Sequence, residues 1–319
     1  MQLWEEAKKT SIFGLEVYTF GLFAAAGAIL AAVAICLFCR KKGLKAGTGL
    51  FTVLLSLLLG AVCSRVAFCL LNQELGYMMP LFSWTWITGG GWSMMGLVGG
   101  VLLAGFLSAR ILREETGTVM DACCLGLPLF MCLERIGEHC IPAFDLSRGL
   151  ETEWLARSFL AVGDEYDAWL TTWKLAAAYS LVLFGILLWR ARKPERPGNL
   201  CVRFLILFGA GSIILESLRY DFFLSLSFVG LQHVAALIIL CAGVIAAVIR
   251  AKDAPVSLKR AALIALPLAG GIALALEFAL DRTTMNKFLI YAIMILAVFT
   301  PAVLGLRLLD AGGKGRVRR

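Results

Sequence analysis

Charge is scarce in this chain. Asp, Glu, Lys and Arg make up 16% of its 319 residues, 60% are hydrophobic, and the mean hydropathy is +0.84. Such a composition excludes a soluble domain and leaves an integral membrane protein. Short strands of alternating polarity are missing too. The apolar segments are long blocks of Leu, Ala, Ile, Val and Phe, which favours an all-α bundle over a barrel, because every backbone polar group in a bilayer core must be bonded internally. Histidine occurs twice, at His139 and His233, far apart in sequence, so no metal centre is suggested and no cofactor is expected. The ten cysteines give no disulfide framework: nine lie in or beside apolar runs as small hydrophobes, and Cys140 alone is expected to look outward. Acidic residues precede the first apolar run and basic ones follow it, the reverse of a secretory signal peptide, so no cleavage is expected.

Hydropathy predicts about nine spans, roughly 18–39, 48–71, 92–110, 118–139, 169–190, 201–220, 228–249, 261–280 and 288–308. Basic clusters fall in alternate gaps: Arg40 to Lys45, Arg110 and Arg113, Arg190 to Arg196, Arg250 to Arg260, and the tail. They mark cytoplasmic loops and put the N-terminus outside and the C-terminus in the cytoplasm. The net charge of +8 is then a topology signal, with basic residues meeting anionic membrane lipids, and nucleic acid is not an expected partner. An acid-rich outer loop holding Asp145, Glu151, Glu153, Asp164, Glu165 and Asp167 is expected to cap the bundle mouth, and Trp84, Trp86, Trp92, Trp154 and Trp169 read as an interfacial belt. A break at 250–260 divides a bundle of about seven helices, 1–250, from an accessory hairpin and basic tail, 251–319, whose only interior ionisable residue is Glu277.

Asp121 to Pro142 is the most informative segment, because Glu134, Arg135, Glu138 and His139 sit near one end of an apolar run. A charge inside a bilayer costs on the order of 3 kcal/mol by insertion scales, so such residues face a cavity or one another. Arg65, Arg135, Lys174, Glu216 and Arg219 all fall toward the outer halves of expected spans and should converge in a polar chamber suited to an anionic headgroup, since the planar guanidinium fork takes phosphate bidentately. The competing reading is internal neutralisation. Arg135 with Glu138 and Glu216 with Arg219 stand at i,i+3, while Arg65 must find a partner on another span. His139 reads either as an interfacial hydrogen-bonding group or as a catalyst. Gly96 and Gly100, at GxxxG spacing, read first as a helix-packing face.

The order of these segments resembles that of the prolipoprotein diacylglyceryl transferases of bacterial cytoplasmic membranes. Tyr18-Thr19-Phe20-Gly21-Leu22 is similar to the family's Arg-Trp-Tyr-Gly-Leu, and Lys41-Lys42-Gly43-Leu44 to its basic turn. Cys63 to Cys69, around Arg65, resembles Gly-Ala-Arg-Leu-x-Tyr-Val, and Gly89 to Gly100 matches Gly-Gly-Met-Ser-Phe-His-Gly-Gly-Leu-Ile-Gly-Gly without a gap. Glu134 to Ile141, through Gly137, resembles Gly-Arg-Ile-Gly-Asn-Phe-Ile-Asn, and Phe208 to Arg219 resembles Tyr-Gly-x-x-Arg-Phe-x-x-Glu-x-x-Arg.

The resemblance implies transfer of a diacylglyceryl group from phosphatidylglycerol to the cysteine thiol of a prolipoprotein, with release of glycerol phosphate. Arg135 and His139 are then the candidate catalytic residues, Arg65, Arg135 and Arg219 the phosphate binders, and Glu138, Glu216, Lys174, Gly96 and Gly137 the supports. The chain departs from the family where Met94 replaces a histidine, Glu138 an asparagine and Ser212 an arginine, and where Thr171 to Lys174 stand for Gln-Leu-Tyr-Glu. These departures keep open a non-catalytic relative that binds a phospholipid or a membrane partner. A transporter is a third reading.

Overall fold

A computed structural model describes residues 7–12, 14–71, 91–141, 147, 149–150, 152–163, 167–219, 225–226, 229–283 and 285–317. Among the described residues, nine helices are long and apolar enough to cross a membrane. They are α1 Thr19–Lys41, α2 Thr48–Leu71, α3 Met94–Leu112, α4 Thr116–Glu138, α5 Thr172–Ala191, α6 Asn199–Leu218, α7 Leu231–Arg250, α8 Val256–Arg282 and α9 Lys287–Val317. Every span read from hydropathy is a helix. The largest difference is at the last, expected to stop near 308 and continuing to Val317, because polar residues end an apolar run without ending a helix.

Among the described residues, three antiparallel strand pairs were not expected: β1 Lys9–Ile12 with β2 Leu15–Tyr18, β3 Ala161–Gly163 with β4 Ala168–Leu170, and β5 Ser225–Leu226 with β6 Val229–Gly230. Strands of two to four residues are too short to display a period of two. They lead into α1, α5 and α7. Trp84, Trp86, Gly89, Gly90, Asp145, Arg148, Glu151, Asp164 and Glu165 lie outside the described residues.

The chain forms two compact units, Met1–Leu188 with Leu218–Phe223, and Trp189–Ser217 with Leu224–Arg319. In the first, α1 lies against α4 and α2 against α3. Small residues allow both approaches. A Cβ at Gly96 would stand 2.5 Å from the Cys63 carbonyl oxygen, and one at Gly137 would stand 2.9 Å from Phe23 Cβ. At the start of α3, Ser64 and Ser93 exchange buried hydrogen bonds: Ser64 Oγ donates to the Ser93 carbonyl at 2.8 Å and accepts from Ser93 N at 2.9 Å. At the other end of these helices the α1–α2 turn is clipped to the α3–α4 turn. Lys45 N donates to Glu114 Oε1 at 2.9 Å, and Lys45 Nζ donates to the Leu112 carbonyl at 2.7 Å.

In the second unit α6 is the most enclosed helix, with α7 and α9 alongside; Gly243 of α7 and Gly305 of α9 both abut Ile206. All ten cysteines lie among the described residues as thiols, outside any disulfide. Cys140, expected to look outward, is buried, and Lys8 N donates to its carbonyl at 2.9 Å.

Candidate functional site

A cavity of about 470 Å³ opens among α1, α2, α3 and α4. Its walls are apolar and mostly small, with Ala24, Ala28 and Ala32 on α1, Leu57 and Gly60 on α2 and Leu97 on α3. Tyr18, Trp92, Met94 and Glu134 gather at one end, and Ile35 and Val53 at the other. From Tyr18 to Ile35 a helical rise gives about 25 Å, more than half of the roughly 30 Å hydrocarbon core. Among the described residues of this lining, Glu134 is the only formally charged one.

The last turn of α4 holds the charge cluster. Glu138 Oε1 accepts from Arg135 Nη1, three residues earlier on the same face, and lies 3.4 Å from both Nη1 and Nη2 of Arg219. Arg135 Nε is also 3.5 Å from Glu134 Oε2, which ties the cluster to the cavity wall. A carboxylate at a helix C-terminus opposes the helix dipole, and Glu134 and Glu138 repel at i,i+4. The two guanidiniums offset both penalties. Arg219, the residue after α6, is held by a backbone bridge to Ser147, which turns its side chain into the same cluster.

The other expected residues have contacts of their own. Arg65 is buried on α2, donates through Nη1 to the Gly91 carbonyl at 3.0 Å, and stacks 5.6 Å above Phe68. His139 caps α4, is exposed, and faces the Trp173 ring at 5.2 Å. Lys174 Nζ also stands 5.2 Å from the Trp173 ring and donates to the Phe159 carbonyl. Glu216 belongs to the second unit, where Gln232 presents its amide to both carboxylate oxygens at 2.9 and 3.0 Å in the orientation those acceptors dictate. Ser212 is buried on α6. Gly96 serves the α2–α3 contact and Gly137 the α1–α4 contact.

Sequence reasoning found the Arg135–Glu138 pair from its spacing. It missed Glu138 as the partner of Arg219, and it missed the cavity wall on α1. The wall had a signal in the sequence: Ala24, Ala28 and Ala32 recur every four residues and so line one helical face.

Two comparisons with known proteins bear on this arrangement. The family described as prolipoprotein diacylglyceryl transferase matches residues 9–249. A Clostridioides difficile (strain 630) protein named phosphatidylglycerol--prolipoprotein diacylglyceryl transferase is 24% identical over 245 residues, covering 76% of this chain and 94% of that relative. With the match extending over most of its length, this multi-pass membrane chain belongs to the prolipoprotein diacylglyceryl transferase family.

Proposed function

We propose that this protein transfers a diacylglyceryl group from phosphatidylglycerol to the lipobox cysteine of a prolipoprotein, in the outer half of a bacterial cytoplasmic membrane. The observation that carries the reading is the junction of an apolar, lipid-length cavity with a paired-arginine cluster, joined through Glu134. One acyl chain fits against the small residues of α1, and the phosphate meets Arg135 and Arg219, with Arg65 as a further cation in the same unit. The basic turns after α1, α3, α5 and α7 support an outside N-terminus and, with it, an outer position for the Arg135 end of α4.

In the reaction the cysteine sulfur forms a bond to the glyceryl carbon that carries the phosphate. The carbon–oxygen bond breaks, and glycerol phosphate leaves with that electron pair. The thiol proton goes to a base, for which His139, exposed beside Glu138, is the group at hand. Arg135 and Arg219 balance the charge that grows on the departing phosphate.

A second reading, a relative that binds phospholipid without transfer, draws on Glu138. The carboxylate already pairs with both arginines, and Met94 lines the cavity where the family has a histidine. The two readings separate in cells depleted of their own transferase. Expression of this chain should restore lipid attachment to a reporter precursor, and Arg135→Ala should abolish it. Verified membrane expression without rescue would overturn the transferase reading in favour of the second.

A further inference from the structure

Three close helix approaches, each at a glycine, shut the end of the cavity that lies away from Glu134. A Cβ on Gly49, in the first turn of α2, would stand 2.8 Å from Cys36 Cα on α1. One on Gly126 of α4 would stand 2.8 Å from Ile35 Cγ1 and 2.9 Å from the Ala31 carbonyl oxygen, and one on Gly105 of α3 would stand 2.8 Å from Cys123 Sγ on α4. The pairs α1–α2, α1–α4 and α3–α4 therefore touch around the level of Ile35, Val53 and Cys123, where Ile35 is 4% and Val53 9% exposed. Toward the charged end α1 and α2 part. A Cβ on Gly60 of α2 would meet Val101 and Leu97 of α3 first, at 3.4 and 3.8 Å, and one on Gly21 of α1 would meet nothing within 4 Å, while Ala28 and Ala61 both face the cavity. The cavity is a wedge with its vertex at Cys36 and Gly49.

A wedge with a fixed vertex measures the chain that enters it. On the α4 wall Glu134 marks the polar end and Cys123 the inner end, eleven residues and about 17 Å of helix apart. A saturated chain with bonds of about 1.52 Å and angles of about 111° advances about 1.25 Å per bond, so about 13 bonds, or about 14 carbons, reach from the level of Glu134 to the floor. Bilayer hydrocarbon solvates a surplus tail as well as the cavity does, so selection rests on fit and not on transfer out of water. A shorter chain leaves wall atoms without contacts, and a longer one must bend out between α1 and α2.

We propose that this vertex is a stop that selects the donor lipid by acyl-chain length, with Ile35 and Val53 as its floor; the proposal rests on the phosphatidylglycerol donor of the transferase reading above. Ala32 lines the cavity about one turn from Ile35 on the side of the charged end, so a larger side chain there raises the floor. The test uses the full chain in nanodiscs of one phosphatidylcholine carrying an equimolar mixture of phosphatidylglycerols with saturated chains of about 12 to about 20 carbons, a range that brackets the length worked out from bond geometry. Native mass spectrometry reads the bound lipid, and the mass of a lipidated reporter precursor reads the transferred one. Wild type should retain chains of about 14 to about 16 carbons at least threefold over those of about 20. Val53→Ala lowers the floor and should move the preferred length up by about two carbons, whereas Ala32→Leu should move it down by about four. The wild-type profile decides whether a stop exists even where a variant fails to fold. A flat profile of bound lipid, or the same shift in both variants, would overturn the stop. Transfer with a flat profile refutes the stop and leaves the transferase reading intact, whereas a profile that moves with the variants while no precursor is lipidated supports the stop and refutes that reading. Retention of no phosphatidylglycerol of any length overturns both.

Discussion

Replacing Glu138 by Gln separates stability from lipid binding, because the two should move in opposite directions. The wild-type carboxylate is 5% exposed and serves two guanidiniums, each 12% exposed. Taking one partner from a buried pair costs about 3–5 kcal/mol, mostly the penalty of stranding the remaining charge. Gln keeps the shape and one acceptor oxygen, and Arg135 still has Glu134 at 3.5 Å, so the loss should fall toward the lower end, about 3 kcal/mol. The same change removes the anion that competes with a phosphate for Arg135 and Arg219. A hydrogen bond to a charged group contributes about 1.5–3 kcal/mol, so phosphatidylglycerol should bind about tenfold tighter or more. The assay is thermal unfolding of the detergent-solubilised chain with and without added phosphatidylglycerol, phosphatidylcholine serving as the control. Glu138→Gln should melt earlier alone and gain more from phosphatidylglycerol than wild type does. Equal lipid-induced shifts in the two proteins would refute the argument that Glu138 and the phosphate share one site.

Two further perturbations address other parts of the site. Ala28→Phe puts a ring into the cavity from α1, where the side chain is only partly buried; phosphatidylglycerol affinity should fall at least tenfold with little change in melting temperature, as measured by the same unfolding assay. His139→Asn keeps a hydrogen-bonding group beside Trp173 but removes a base; single-turnover transfer should slow by roughly 10²–10⁴ with lipid affinity intact, and a loss confined to affinity would assign His139 to binding instead.

The spans were legible because a bilayer imposes one rule on every segment that crosses it, and long apolar blocks have few other uses. GxxxG spacing was legible for a similar reason: Gly96 has Cys63 and Ala67 where a side chain would go. Pairing along one helix, as for Arg135 and Glu138, follows from 3.6 residues per turn. Pairing across helices does not. Arg219 and Glu138 are 81 residues apart, and the spacing rule points Arg219 at Glu216. The meeting depends on the β-bridge from Arg219 to Ser147, a single backbone contact with no periodic trace in the sequence. The hairpin beyond residue 250 reads as an accessory for the same reason. No spacing in the sequence advertises a role for Glu277, Tyr291 or Asp310, whose contacts include His233 on α7, Ser217 and Arg203 on α6, and Arg190 on α5.

The clip of Lys45 onto Glu114 and Leu112 makes the four helices around the cavity a fork joined at its handle. A fork held there spreads at its tines. Admitting a bulky acyl chain then takes a small rotation rather than a parting of whole helices, with displacement near zero at the clip and growing toward Tyr18, Trp92 and Met94. Over a lever of about 25 Å, a rotation of about 5° moves the far end by about 2 Å. Compliance is thereby concentrated at the end where the charges lie, and a lipid entering there does so tail first or slides in sideways between the tines.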